Sequence, residues 1–143
     1  MICRVRTPAP GKNAVDPLAL HLAVFVGGAI GVLVRYGLVE MLATNRGLWP
    51  WPTFFANVVG CAILSLTIAH IDNGRGSDRH RALLGTGFCG GLTTFSTFQL
   101  ELYELIDSRH LDTAIAYGLS SILLGMLSVT LVRRFVARGE EIA

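Results

Sequence analysis

Charge is what this sequence has least of: Asp, Glu, Lys and Arg make up 15% of its 143 residues, against roughly a quarter in an ordinary water-soluble domain. The apolar runs also lack the sustained polar face of a water-facing helix, which argues against a soluble bundle. Cysteine is scarce and scattered. Cys3, Cys61 and Cys89 are odd in number, and two of them fall inside apolar runs. They give neither a disulfide framework nor a metal-ligand spacing. The spans hold no serine–histidine, metal-ligand or paired-carboxylate grouping, so the sequence does not read as an enzyme. It has no low-complexity segment and no internal repeat, and nothing in it points to a nucleic-acid partner.

What remains is apolar and clustered. Apolar residues make up 52% of the chain and collect in runs at 18–42, 52–71, 82–106 and 112–134. Each is about as long as the ~20 residues that cross a hydrocarbon core roughly 30 Å thick. Backbone polar groups cannot stay unpaired in lipid, so the runs predict helices. The expected fold is therefore an all-α integral membrane protein with four transmembrane helices over 18–136. Residues 1–17 read as a disordered, basic cytoplasmic tail, and 137–143 as a second tail. The first apolar run is too long for the core of a cleaved signal peptide.

Trp49-Pro50-Trp51-Pro52 punctuates the first two spans, with tryptophans suited to the membrane interface and prolines to a helix start. The other two loops are short, which implies a compact antiparallel bundle. With four spans, both termini and the second loop share a side. That side carries Arg4, Arg6, Lys12, Arg75, Arg79, Arg81, Arg133, Arg134 and Arg138, against Arg46 and Arg109 opposite. The bias predicts that both termini are cytoplasmic.

Five positions or segments within the spans could carry chemistry. Gly27 and Gly31 form a small-residue face suited to close helix packing. Arg35 lies within the first span, where charge is costly. It either has a structural or electrostatic role or snorkels to the interface. Asn57 in the second span needs partners, which could be another helix or an ion path. In the third span, Gly85-Thr86-Gly87-Phe88-Cys89-Gly90-Gly91-Leu92-Thr93-Thr94-Phe95-Ser96-Thr97-Phe98 crowds glycines and hydroxyls where a continuous helix would be poor. A break at membrane depth survives only beside protein or a watery cavity. Its freed carbonyls could hold a cation, and its freed amides and hydroxyls an anion. Phe95 and Phe98 share a helical face, and a phenyl ring has a positive edge. Tyr117, Ser121, Gly125 and Ser128 fall on one stripe of the fourth span. That stripe fits either serine back-bonding or a hydroxyl-lined track.

Taken together, Gly87–Phe98, Gly27-Gly28-x-x-Gly31 with Arg35-Tyr36, and Asn57 resemble the bacterial fluoride channel family, Fluc, also called CrcB. The likeness covers about residues 20–135. It implies a passive, fluoride-selective channel in the bacterial inner membrane that relieves fluoride toxicity. The resemblance further implies a dimer of subunits in opposite orientations. A structural, untransported sodium ion would be held by the backbone carbonyls of Gly90 and Thr93. Phe95 and Phe98 would supply ring edges, Asn57 a donor, and Thr94, Ser96, Tyr117 and Ser121 further polar groups along the fluoride path. Arg35 matches the family's span-one arginine. The charge bias departs from a homodimer inserted both ways, and suggests a related partner subunit of opposite bias. A proton-coupled small multidrug transporter is the competing reading, but it wants a carboxylate well inside span one, where only the late Glu40 is available. A non-transporting membrane assembly protein is another, and would not need the broken span.

Overall fold

The computed structural model describes residues 16–42 and 48–141, so residues 1–15 of the expected tail lie outside it, as does Arg46. Among the described residues the chain is helical, with no strand. Helix α1 spans Pro17–Met41 and α2 spans Trp51–Asp72. Helix α3, Asp78–His80, runs on into a π-helical segment, Arg81–Cys89, and then into α4, Gly90–Leu92. Helix α5 covers Phe95–Asp107 and α6 covers Leu111–Glu141.

The ends follow from local chemistry. Pro17 opens α1, and the Asp16 carboxylate accepts from the Leu18 N–H at 3.0 Å. Gly74, at φ 68°, turns the chain after α2. Beyond α5, Arg109 takes the left-handed conformation and its N–H donates to the Ile106 carbonyl at 3.0 Å.

Three helices, α1, α2 and α6, are each long and apolar enough to cross a membrane. The third apolar run is divided between the segment ending at α4 and helix α5. The outward side chains are mostly large and apolar: Phe25 on α1 is 74% exposed and Phe135 on α6 is 79% exposed. Such a surface suits lipid or a partner subunit and would be costly in water.

The glycines do not interrupt the third run as the sequence suggested. Gly90 is right-handed helical, at φ −64° and ψ −34°. The break comes two residues after the last glycine, where Thr93 (ψ 152°) and Thr94 (φ −148°, ψ 123°) are extended. The glycines instead allow two backbones to approach. A Cβ on Gly27 would collide with the Leu83 carbonyl, and one on Gly31 with the Phe88 carbonyl. Across the seam, a Cβ on Gly87 would lie 2.7 Å from the Val24 carbonyl, and one on Gly91 would strike the Gly28 carbonyl. On the other side of the bundle, α2 packs on α6. There Phe54, Phe98, Leu105, Ala114 and Tyr117 form the buried core.

Candidate functional site

The site is built around the break. A helix end leaves backbone groups unpaired, and at this depth each needs a partner. Asn57 on α2 supplies two. Its Oδ1 accepts from the Thr94 N–H at 2.9 Å, and its Nδ2 donates to the Thr94 carbonyl at 3.2 Å. This reciprocal pairing fixes which end of the amide is oxygen. Asn57 is thus an interhelical brace. It is also half-buried on the wall of a cavity of about 440 Å³ and has a second N–H to offer.

Thr94 caps the next helix: its Oγ1 accepts from the Thr97 N–H at 3.2 Å and donates to Thr97 Oγ1 at 3.0 Å. Ser96 is exposed, with its hydroxyl 3.3 Å from Thr94 Oγ1. Arg35 reaches across from α1 and donates through Nε to the Gly91 carbonyl at 3.3 Å. A half-buried guanidinium thus closes one carbonyl that the break exposes, a structural role.

Two other carbonyls lose their helical donors. In a continuous α-helix the Thr94 N–H would bond to Gly90 and the Thr97 N–H to Thr93. Here Asn57 takes the first and the Thr94 hydroxyl takes the second. Gly90 and Thr93 both border the cavity, and a Cβ on Gly90 would meet nothing within 4 Å. The donor set is hard backbone oxygen, the kind that suits an alkali cation.

The two phenylalanines differ in surroundings. Their rings are 6.2 Å apart, but Phe95 is 73% exposed at the cavity edge while Phe98 is buried against Tyr117, with centroids 5.2 Å apart. The Tyr117 hydroxyl donates to Glu101 Oε2 at 2.6 Å, and the Thr53 hydroxyl to Glu101 Oε1, also at 2.6 Å. Ser128 back-bonds to the Gly125 carbonyl at 2.7 Å, while the buried Ser121 hydroxyl has no partner among the described residues. Back-bonding therefore accounts for Ser128 on the α6 stripe. Glu40 is exposed near the end of α1, away from this arrangement.

Glu101 and Thr53 escaped the sequence reading. The signal was present: a carboxylate inside the third apolar run, three residues past Phe98 and so on its face. Averaging over the run concealed it.

Comparison with known proteins places the chain. The family described as "CrcB-like protein, Camphor Resistance (CrcB)" matches residues 22–132. Over 117 residues the chain is 44% identical to "Fluoride-specific ion channel FluC 1" of Mycolicibacterium paratuberculosis, covering 81% of this chain and 89% of that protein. It is 40% identical over 115 residues to "Fluoride-specific ion channel FluC 2" of Streptomyces avermitilis, covering 79% and 73%. A Staphylococcus aureus protein named "Fluoride-specific ion channel FluC 1" is 40% identical over 111 residues, covering 75% and 88%. With the broken third run, its Asn57 brace and a match over most of its length, this multi-pass membrane protein belongs to the CrcB family.

Proposed function

We propose that the chain is a subunit of a passive fluoride channel that lets cytoplasmic fluoride leave the cell across the inner membrane. The observation that carries this reading is the cavity at the break, bordered by Asn57, Thr94 and Phe95 and, among the described residues, by no lysine, arginine or carboxylate. A small, strongly hydrated anion needs donors to replace its water, yet must not be held by a full charge if it is to leave. Neutral amide and hydroxyl donors with a phenyl edge meet both demands. In this conformation the Thr53 and Tyr117 hydroxyl hydrogens are engaged by Glu101. An anion moving along α6 would compete with that carboxylate, which keeps binding weak. The second Asn57 N–H, on a side chain that borders the cavity, remains available.

The functional unit we favour is a dimer of oppositely oriented subunits with sodium at its centre. The Gly90 and Thr93 carbonyls, deprived of their helical donors, would hold the ion with those of the second subunit. When bound, sodium would supply a fixed positive charge that ties two broken helices together. Exposed Phe95 and the open side of Gly90 would then face the partner.

Fluoride efflux from proteoliposomes tests the channel directly. The sharper variant is Phe95→Ile, since that ring is exposed and lies outside the buried core of the subunit. We expect flux to fall at least about tenfold, a loss of roughly 1.4 kcal/mol in the barrier region, with an unchanged thermal midpoint. Undiminished flux would remove the ring edge from the mechanism. Phe98→Ile is less clean, because Phe98 belongs to the core with Phe54 and Tyr117.

The arginine bias supports a chain inserted one way, both termini cytoplasmic, beside a related subunit of opposite bias. That relatives carry the numbered names FluC 1 and FluC 2 fits a paired arrangement. A cysteine introduced at Asn73, in the second loop, should label only from the cytoplasm in cells expressing this chain alone. Labelling from both faces would instead support a homodimer.

A further inference from the structure

The second loop is closed at its end by a histidine. Ser77, the residue before α3, donates its N–H to His80 Nδ1 at 3.2 Å, and its hydroxyl lies 2.9 Å from the same nitrogen. A backbone N–H can only donate, so Nδ1 is the acceptor and a neutral His80 carries its proton on Nε2. This is half of a capping box, with an imidazole where Glu or Gln usually stands. A second ring crowds the same turn. His70, near the end of α2, lies edge-on to His80 with centroids 6.4 Å apart, and a Cβ on Gly76 would lie 3.4 Å from the His70 ring. Both histidines are exposed, so solvent protons reach them.

We infer that this turn is a proton-operated latch: a neutral His80 ties the second loop to α3, and protonation of His80 releases it. An imidazolium carries N–H on both nitrogens and accepts nothing, so the bond from Ser77 is lost outright. A charge on His70 as well would set two cations side by side, which opposes the closed turn further. The closed state therefore binds fewer protons than the open one, and closure strengthens as pH rises. Histidine is the side chain that makes this change between about pH 5 and 8. The surrounding groups are Asp72 at the end of α2, Arg75 in the loop, Asp78 and Arg79 on α3, and Arg81 just after it. Carboxylates and guanidiniums ordinarily titrate outside that range. α1, which also packs on α3, brings Asp16 at its cap and His21. His21 Nδ1 lies 2.7 Å from the Pro17 carbonyl, which only accepts, so that bond survives in either charge state. Ser77 caps a helical rod that runs unbroken from Asp78 to Leu92, so the latch stands at one end of the rod and the break at the other.

The test reads the turn itself rather than ion flux, so it stands or falls apart from the channel proposal. In the full-length protein in mild detergent, amide exchange is followed at Ser77 and at Arg81, whose N–H donates to the Ser77 carbonyl at 3.1 Å. Rates at about pH 8 and about pH 5.5, either side of the usual histidine transition, are corrected for intrinsic exchange. Nitrogen-15 shifts of the imidazoles report the tautomer. Wild type should show His80 protonated on Nε2 alone at the higher pH, and protection of both amides should fall about fivefold at the lower, the factor for a helix cap of typical strength. His80→Gln supplies an uncharged acceptor at the usual capping-box position and should keep protection at both pH values. His80→Ala should lack it at both, and His21→Gln should behave as wild type. Protection in wild type that ignores pH, a neutral His80 protonated on Nδ1, or a His80→Gln variant as pH-sensitive as wild type would each overturn the latch.

Discussion

Gly31→Ala is expected to cut recovery of folded protein sharply and lower its thermal midpoint, while Gly28→Ala, three residues away on the same helix, is expected to be tolerated. The added methyl is the same, so the difference is purely one of place. At Gly31 it would fall on the Phe88 carbonyl, 2.8 Å from the Leu92 N and 3.1 Å from the Gly91 carbonyl carbon. All three are backbone atoms of the helical segment across the seam, and none can rotate away as a side chain would. At Gly28 the nearest such atom, the Gly87 carbonyl oxygen, is 3.8 Å away, an ordinary contact. Overpacking a rigid site costs about 3 kcal/mol or more. For a chain of this length that lowers the thermal midpoint by about 10 °C. Gly91→Ala should behave like Gly31→Ala, because its methyl would strike the Gly28 carbonyl from the opposite side. Gly90→Ala and Gly37→Ala, which meet nothing within 4 Å, should leave the subunit's fold intact. Monodisperse recovery after detergent extraction and the thermal midpoint are the readouts. Normal folding of Gly31→Ala would mean that α1 does not approach α4 this closely.

The same seam shows what the sequence could and could not reveal. The apolar runs are legible because lipid imposes one rule on every span, and length and hydropathy alone express it. Glycine is more ambiguous. It weakens a helix, and it also lets two helices touch, and a one-dimensional reading does not separate the two uses. Here Gly27, Gly31, Gly87 and Gly91 serve the second, and the interruption falls to Thr93 and Thr94. A β-branched hydroxyl residue suits an extended backbone and can cap the next helix, but only if something pairs its main chain. The partner is Asn57, 37 residues away. Arg35 likewise needed its partner, the Gly91 carbonyl at a separation of 56 residues, before a structural role could be told from snorkelling. Glu101 was hidden for a similar reason. Its meaning lies in the hydroxyls of Thr53 and Tyr117, which come from two other helices.

Asn57 is where the fold and the path can be separated by experiment. Asn57→Leu should lower both stability and fluoride flux, because it leaves the Thr94 N–H and carbonyl unpaired together. Each unsatisfied buried group costs about 1–3 kcal/mol, so the two together should break the pairing of α2 with the interrupted span. Asn57→Asp divides the roles. A carboxylate oxygen can still accept from the Thr94 N–H, and the loss of the bond to the Thr94 carbonyl leaves a single unpaired group. The fold should survive at a lower thermal midpoint. Flux should nevertheless fall by two orders of magnitude or more, because the charge now faces a cavity that an anion must enter. At an effective dielectric of 20 and a separation of 4 Å, like charges repel by about 4 kcal/mol. If Asn57 were only a brace, the Asp variant would conduct in proportion to the protein that folds. Proteoliposome efflux normalised to folded protein, read beside the thermal midpoint, distinguishes these outcomes. Normal stability of Asn57→Leu would exclude the brace, and normal flux through Asn57→Asp would exclude Asn57 from the path. The two roles are compatible in geometry: the amide closes the backbone at the break through one N–H and its oxygen, and its second N–H belongs to a side chain that borders the cavity.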